Sequence, residues 1–261
     1  MEKNPMNSSR LRLHTEKHPS SQTHPYTRRS LWTTKQKKSP FPWTRTWIGG
    51  GCISAPPWTM NLLCWNCRGL RNPQTIQELG DLVRAQDPAV MFLAETWLDE
   101  ARLTNLRDKM GFGDTFGVSW VTRGGGLALF WKKDVQLSVE NSSLNYINAI
   151  IDKGKESSWR FIGFYGFLET RNHMESWNKI WWLHQKSSLP WICAGDFNEI
   201  LKSYEKVGGR PRPNRQMQEF KDVLDECGFI DMGYSGNKFT WYKNYLNGNT
   251  IWERLDRAVA T

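Results

Sequence analysis

Three apolar runs in the 261-residue chain end in side chains that can bind a cation or move a proton. Leu62-Leu63-Cys64-Trp65 leads into Asn66, and Ala89-Val90-Met91-Phe92-Leu93-Ala94 leads into Glu95. Trp191-Ile192-Cys193-Ala194 leads into Gly195-Asp196-Phe197-Asn198. A lone acid after an apolar strand is ordinarily a solvated strand end. Three endings of this kind, all carboxylate or amide, point instead to one rim of a sheet, where sites are assembled. Oxygen donors of this type suit Mg2+ or Mn2+ rather than zinc. Mg2+ is usually held by one or two carboxylates, with water and a substrate phosphate filling the rest, so the set points to phosphoryl-ester chemistry. The five cysteines do not suggest a disulfide framework, and Cys64-x-x-Cys67 has no second pair to complete a metal site. Those two read as reduced thiols at the end of a strand.

The elements that must carry these residues are legible as periodicity. Short, continuously apolar runs fit strands covered on both faces. Asn72 suits a helix N-cap and Pro73 its first turn, with Ile76, Leu79, Leu82 and Val83 on one face and Asp87-Pro88 as the stop. A short helix follows over Glu100–Met110. Strands are expected near Phe116–Val121, Gly126–Trp131, Val135–Glu140, Asn145–Ile151 and Trp159–Tyr165, the third and fourth half-buried. A helix from Asn172 has Glu175 in capping-box position and an apolar face of Trp177, Ile180, Trp181 and His184. Another runs from about Gln216 to Cys227, with Met217, Phe220, Val223, Leu224 and Cys227 inward. Lys238–Tyr242 and Ile251–Leu255 are the final strands. This order predicts an α/β fold, a four-layer sandwich of two mixed β-sheets flanked by helices.

A longer series of short motifs runs through residues 60–261. In order they are Trp65-Asn66-Cys67-Arg68-Gly69-Leu70, Glu95-Thr96, Phe164-Tyr165-Gly166 and Gly195-Asp196-Phe197-Asn198, then Gly208-Gly209-Arg210, Gln216-Met217, Phe239-Thr240-Trp241 and Leu255-Asp256-Arg257. The set resembles the endonuclease/exonuclease/phosphatase family, in its plant LINE-type non-LTR retrotransposon branch. The resemblance implies a metal-dependent endonuclease that hydrolyses phosphodiesters of DNA, with Mg2+ or Mn2+ as cofactor. It makes Glu95 the metal ligand with Asn66 beside it, and Tyr165 a contact to the scissile phosphate. Asp196 then positions or deprotonates the attacking water, or protonates the leaving group. Asn198 holds the phosphate and Asp196, and Asp256 orients a catalytic histidine. Arg68, Arg210, Arg212 and Arg215 are the expected DNA contacts. A monomer working in the nucleus would follow.

The chain departs from that pattern in two places. Family members carry a Ser-Asp-His motif a few tens of residues beyond the position of Asp256, whereas the histidines here are His14, His18, His24, His173 and His184, none in a matching context. Leu168 stands where many relatives have an amide. Loss of a preorganised group at the phosphate typically costs about 10²–10³ in rate, so a weak or silent enzyme is expected. The last strands of the sandwich are expected to be missing, leaving a strand edge and apolar surface uncovered. Two alternatives stand beside the nuclease: a silent fragment that at most binds nucleic acid, and another phosphodiesterase or phosphatase on the same fold.

Charge separates the two ends of the chain. Of a net +9, residues 1–59 supply +8, with ten Lys or Arg against two acids. This Ser/Thr/Pro-rich stretch has no apolar periodicity, so it is expected to be a disordered tail preceding a domain at 60–261. It could serve as a nucleic-acid-binding arm, an import signal or a transit peptide, but a spurious extension ahead of Met60 is the favoured reading. No run of about 18 apolar residues occurs, so no membrane span is expected.

Overall fold

The computed structural model describes residues 60–119, 125–234 and 236–261, together with the backbone of 31–34. Its strands are β1 (Leu31–Thr34), β2 (Leu62–Asn66), β3 (Val90–Ala94), β4 (Asp114–Val118), β5 (Leu127–Trp131), β6 (Leu137–Ser143), β7 (Tyr146–Ile151) and β8 (Trp159–Tyr165). The chain continues with β9 (Trp191–Asp196), β10 (Lys206–Val207), β11 (Ile230–Asp231), β12 (Trp241–Asn244), β13 (Thr250–Glu253) and β14 (Asp256–Ala260). The helices are α1 (Pro73–Gln86), α2 (Glu100–Met110), α3 (His173–His184) and α4 (Asn214–Glu226).

Of the two large sheets, one has the order β1-β2-β3-β5-β4 and the other β11-β14-β9-β8-β7-β6, and each mixes parallel with antiparallel pairs; a small antiparallel sheet has the order β10-β13-β12. Alternation along the strands sends Cys64, Phe92 and Leu129 from the first sheet, and Ala149, Phe161, Ile192 and Ala258 from the second, into one central core. The opposite faces pack outward. Leu63, Met91 and Phe130 meet Leu79 of α1 and Leu103 and Leu106 of α2. Ile162, Phe164 and Cys193 meet Trp177 and Ile180 of α3 and Phe220 and Leu224 of α4. The result is the four-layer sandwich expected. The two sheets meet tightly at Gly163, where an added Cβ would stand 2.1 Å from the Phe92 ring.

The start of α1 forms as expected: Asn72 accepts from the Gln74 N–H at 3.0 Å, and Asp87 closes the helix in the left-handed region at φ 44°. Other details differ. β7 is almost wholly buried rather than half-buried, because β6 covers its outer edge while the other sheet covers its face. The capping box at Asn172 is absent: Asn172 ends a 3-10 turn and its side chain makes no cap bond. The buried stripe of α3 is His173, Ser176, Trp177, Ile180 and Leu183, so Trp181 faces solvent at 47% exposure. Strand β14 was not expected at all. It opens Asp256-Arg257, and Arg257 is buried because an ion cluster receives it. Arg257 and Arg254 together hold Glu205 and Asp231 at 2.7–2.9 Å. Burial raises the Glu205 carboxyl, but Arg257 and Arg254 outweigh it and hold the pKa below the ordinary value.

The β2 edge of the first sheet is covered. Leu31–Thr34, inside the segment expected to lack structure, runs antiparallel to β2 in the register Leu31↔Trp65 to Thr34↔Leu62. Leu-Trp-Thr-Thr is a β-forming sequence, and β2 would otherwise present a row of unpaired backbone groups. The rest of residues 1–59, like Val121 at the end of an expected strand, lies outside the described residues.

Candidate active site

The two sheets bring their polar strand ends to one rim. Asn66 is opposite Ala94 in the parallel β2–β3 pair, which puts Glu95 one residue beyond. Tyr165 and Asp256 both lie opposite Asp196, on its two sides. Asn66 then joins the sheets. Its Nδ2 donates to Glu95 Oε1 at 2.8 Å and to Asp196 Oδ2 at 3.0 Å. The Tyr165 hydroxyl donates to the same Glu95 oxygen at 2.9 Å. Asn198 donates its N–H to Asp196 Oδ1 at 3.0 Å and its Nδ2 to the Gly166 carbonyl at 2.8 Å.

The loops at this rim are held under backbone strain. Arg68, Glu95, Trp97 and Asn198 all have φ between 48° and 56°, the left-handed region that residues other than glycine rarely adopt. Such residues cluster where surrounding structure fixes a functional geometry. Here the Thr96 and Trp97 N–H groups are tied to the Gly126 and Gly125 carbonyls, and Gly69 and Leu70 N–H to those of Glu95 and Thr96.

The electrostatics suit proton transfer near neutrality. Burial raises the Asp196 carboxyl to about 6. The hydrogen bonds from Asn66 and Asn198 and the charge of Arg68 work against that rise, and Glu95 adds to it. Burial, then the charges of Glu95 and Asp196, push the Tyr165 phenol far above its ordinary range. Tyr165 therefore stays a hydrogen-bond donor, while Asp196 can exchange a proton around pH 7.

Among the described residues, no group of three or more His, Cys, Asp or Glu side chains could hold a metal ion by itself. The donor set fits a hard cation that takes most of its ligands from water and a phosphate. Glu95 is only half-buried, whereas Asp196 and Asp256 are buried, so Glu95 is the carboxylate placed to meet such an ion. Asn66 was expected beside it as a ligand. Its NH2 is drawn to the two carboxylates, and its oxygen accepts from the Arg68 N–H at 3.3 Å, so it acts here as a donor.

The arginines divide. Arg68 lies close enough to lower the pKa of both Asp196 and Tyr165. Arg210 is exposed, and Arg215 pairs on the surface of α4 with Glu219 at 2.6 Å. Arg212, expected as a DNA contact, is instead spent internally: it pairs at 3.0 Å with both Glu199 and Glu253, which need a cation because both are buried. His173 pairs with Glu199 at 3.2 Å, and His184 stacks on Trp191, so neither belongs to the carboxylate cluster. Leu168 is 68% exposed. Cys64 and Cys67 are buried thiols outside any disulfide, and the Cys67 thiol donates to the Ala94 carbonyl at 3.2 Å.

Sequence reasoning missed two positioning groups. Asn145 donates from Nδ2 to the Tyr165 carbonyl at 2.9 Å and accepts from Lys179 at 2.6 Å. The Thr240 hydroxyl accepts from the backbone N–H of Leu255 and Asp256, both at 3.0 Å. Asn145 carries no local signal, since only the fold brings it beneath Tyr165.

Residues 63–261 match the family model described as endonuclease/exonuclease/phosphatase. The chain belongs to that family. No curated protein sequence matches it closely enough to count as a relative. Among solved structures, it is similar to a 3'-5' exonuclease from Neisseria meningitidis, at 16% identity and TM-score 0.58, over 77% of this chain and 86% of that one. It is similar to an AP endonuclease from Archaeoglobus fulgidus, at 14% identity and TM-score 0.54, over 75% and 84%. It is also similar to the endonuclease domain of TRAS1, a telomere-specific non-LTR retrotransposon, at 12% identity and TM-score 0.52, over 74% and 82%. At these identities the likeness establishes the fold.

Proposed function

We propose that this family member is a divalent-metal-dependent DNA endonuclease of plant LINE-type retrotransposon origin, acting as a monomer on DNA in the nucleus. The observation that carries the reading is the inter-sheet cluster of Asn66, Glu95, Tyr165 and Asp196, with Asp196 raised to about 6 by burial. Glu95 would hold Mg2+ or Mn2+, which supplies charge neutralisation at a bound phosphodiester. Tyr165 offers a proton-bearing hydroxyl at the same spot. Asp196, fixed by Asn66 and Asn198, takes or gives the proton exchanged with water or the leaving oxygen. The retroelement branch is supported by Gly208-Gly209-Arg210 and Phe239-Thr240-Trp241, read with the other motifs in their order.

A second reading is binding without efficient turnover. It is favoured by the histidines among the described residues, since His173 lies against Glu199 and His184 against Trp191, both outside the carboxylate cluster. One experiment separates the two. Nicking of supercoiled plasmid by the folded 261-residue chain, in Mg2+ or Mn2+ and abolished by EDTA, by Glu95→Ala and by Asp196→Asn, supports the enzyme. Plasmid binding with no nicking in either metal supports the second reading. Nicking that survives both substitutions would remove the rim from the chemistry.

A further inference from the structure

The small sheet β10-β13-β12 uses its two faces differently. Trp241 packs inward against Ile200, Met217 and Leu255. The next residue, Tyr242, pairs across the hairpin with Trp252, their rings stacked with centres 4.6 Å apart. Trp252 is 6.2 Å from the Phe239 ring. The Lys238 ammonium sits 4.6 Å from the centre of Phe239 and 5.7 Å from that of Tyr204, and Lys202 approaches Tyr204 at 5.7 Å. Tyr204 is 57% exposed. Rings and ammonium groups therefore alternate from Lys202 through Tyr204 and Lys238 to Phe239, and the Trp252 and Tyr242 rings continue the strip.

Nearby acids do not cancel its charge. Glu205 is turned inward to Arg254 and Arg257, and Glu253 is taken by Lys206 and Arg212. The backbone beneath is tightly set: Gly208 has φ +82°, and a Cβ there would lie 2.2 Å from the Thr250 carbonyl oxygen. Thr240, at the end of the strip, bonds the backbone of Asp256 and so joins this sheet to the rim.

An exposed ring, Tyr204, and a half-buried one, Phe239, alternating with cations are what an unpaired nucleic-acid strand requires, because every base has a face to stack and every link carries a phosphate. A duplex buries its base faces against each other and offers this strip only phosphates. We infer that the strip binds a single-stranded DNA segment, with bases on Tyr204 and Phe239 and phosphates on Lys202 and Lys238. The inference rests on reading the rim as a DNA-cutting site and adds unpaired DNA to what that site engages. On binding, a base takes the ring face, and the displaced ammonium turns to the adjoining phosphate.

The test is fluorescence anisotropy of a labelled oligothymidylate with the full chain in EDTA, alongside a duplex of equal length and an oligouridylate. Tyr204→Ala and Phe239→Ala should each weaken oligothymidylate binding about tenfold or more, and Tyr204→Phe should stay within about twofold. Duplex binding should not move. Lys202→Ala with Lys238→Ala should flatten the log–log salt dependence by about 1.4, at about 0.7 per phosphate contact, and Tyr204→Ala should leave that slope intact. Thermal melts of each variant separate lost contacts from lost fold, and exposed Tyr204 gives the decisive variant. Unchanged oligothymidylate binding, equal losses on duplex, or tighter binding of the oligouridylate would overturn the inference. Hydrolysis of bis(4-nitrophenyl) phosphate, a single phosphodiester with no nucleotide chain to lie along the strip, tests the rim separately. Asp196→Asn should remove that hydrolysis, and strip variants should leave it unchanged. A wild-type chain that does not hydrolyse it, yet needs Tyr204 for oligothymidylate, keeps the strip and defeats the cutting site.

Discussion

Asp196→Asn should make the protein more stable at alkaline pH while it removes phosphodiesterase activity. Burial raises the Asp196 carboxyl from 3.8 to about 6. The folded state then binds more protons than the unfolded state between those two values, so stability falls as pH rises through that window. The gap, at about 1.36 kcal/mol per pH unit, is a penalty of about 3 kcal/mol once the carboxylate is fully ionised. An amide at this position has no such penalty. It keeps an oxygen for the Asn198 N–H, but its NH2 faces that of Asn66, and turning the Asn66 amide over to relieve this costs about 1 kcal/mol or more. Urea unfolding of both proteins in EDTA tests the balance. The stability difference should move in favour of the variant by about 2 kcal/mol between about pH 4.5 and pH 8, levelling off above about pH 7. Parallel pH profiles for the two proteins would refute the claim that burial controls this carboxyl.

Other outcomes follow from the same contacts. Asn66→Ala removes a hydrogen bond that lowers the Asp196 pKa, so the acid limb of the rate–pH profile should move to higher pH; an unmoved limb would mean another group titrates. Gly163→Ala puts a methyl group into the Phe92 ring and should lower stability by about 1–3 kcal/mol, read as a lower urea midpoint. Trp177→Ala empties a site stacked on Phe220 at 4.4 Å and should cost about 3–5 kcal/mol, whereas Trp181→Ala on the exposed face should stay within about 0.5 kcal/mol.

Much of the sandwich is legible in the sequence where one local cause decides the outcome. Asn72-Pro73 starts a helix with its own side chain, and Val90–Ala94 is apolar on both faces because both faces are covered. The rim is legible because strand ends keep their polar residues adjacent in sequence to apolar runs. What escapes is set by distant partners. Arg257 looks like a surface residue until Glu205 and Asp231 are brought to it. Arg212 looks like a phosphate contact until Glu199 and Glu253 claim it. Leu183 rather than Trp181 is buried in α3, because the helix is apolar on more than one face and its composition alone does not fix which residue turns inward. The β1–β2 pairing depends on an edge that exists only after the sheet has formed.

The double donation by Asn66 has a consequence for how the protein wears out. One NH2 group grips a carboxylate from each sheet, and hydrogen bonds of 2.8 and 3.0 Å tolerate little sliding before they break. The backbone ladders within each sheet, and the helices on either side, would survive such a slip. On warming, function should therefore disappear ahead of secondary structure. A heated sample can keep an intact circular dichroism spectrum and already be inert, so the seam between the sheets, rather than the melting of either one, sets the working lifetime of the site.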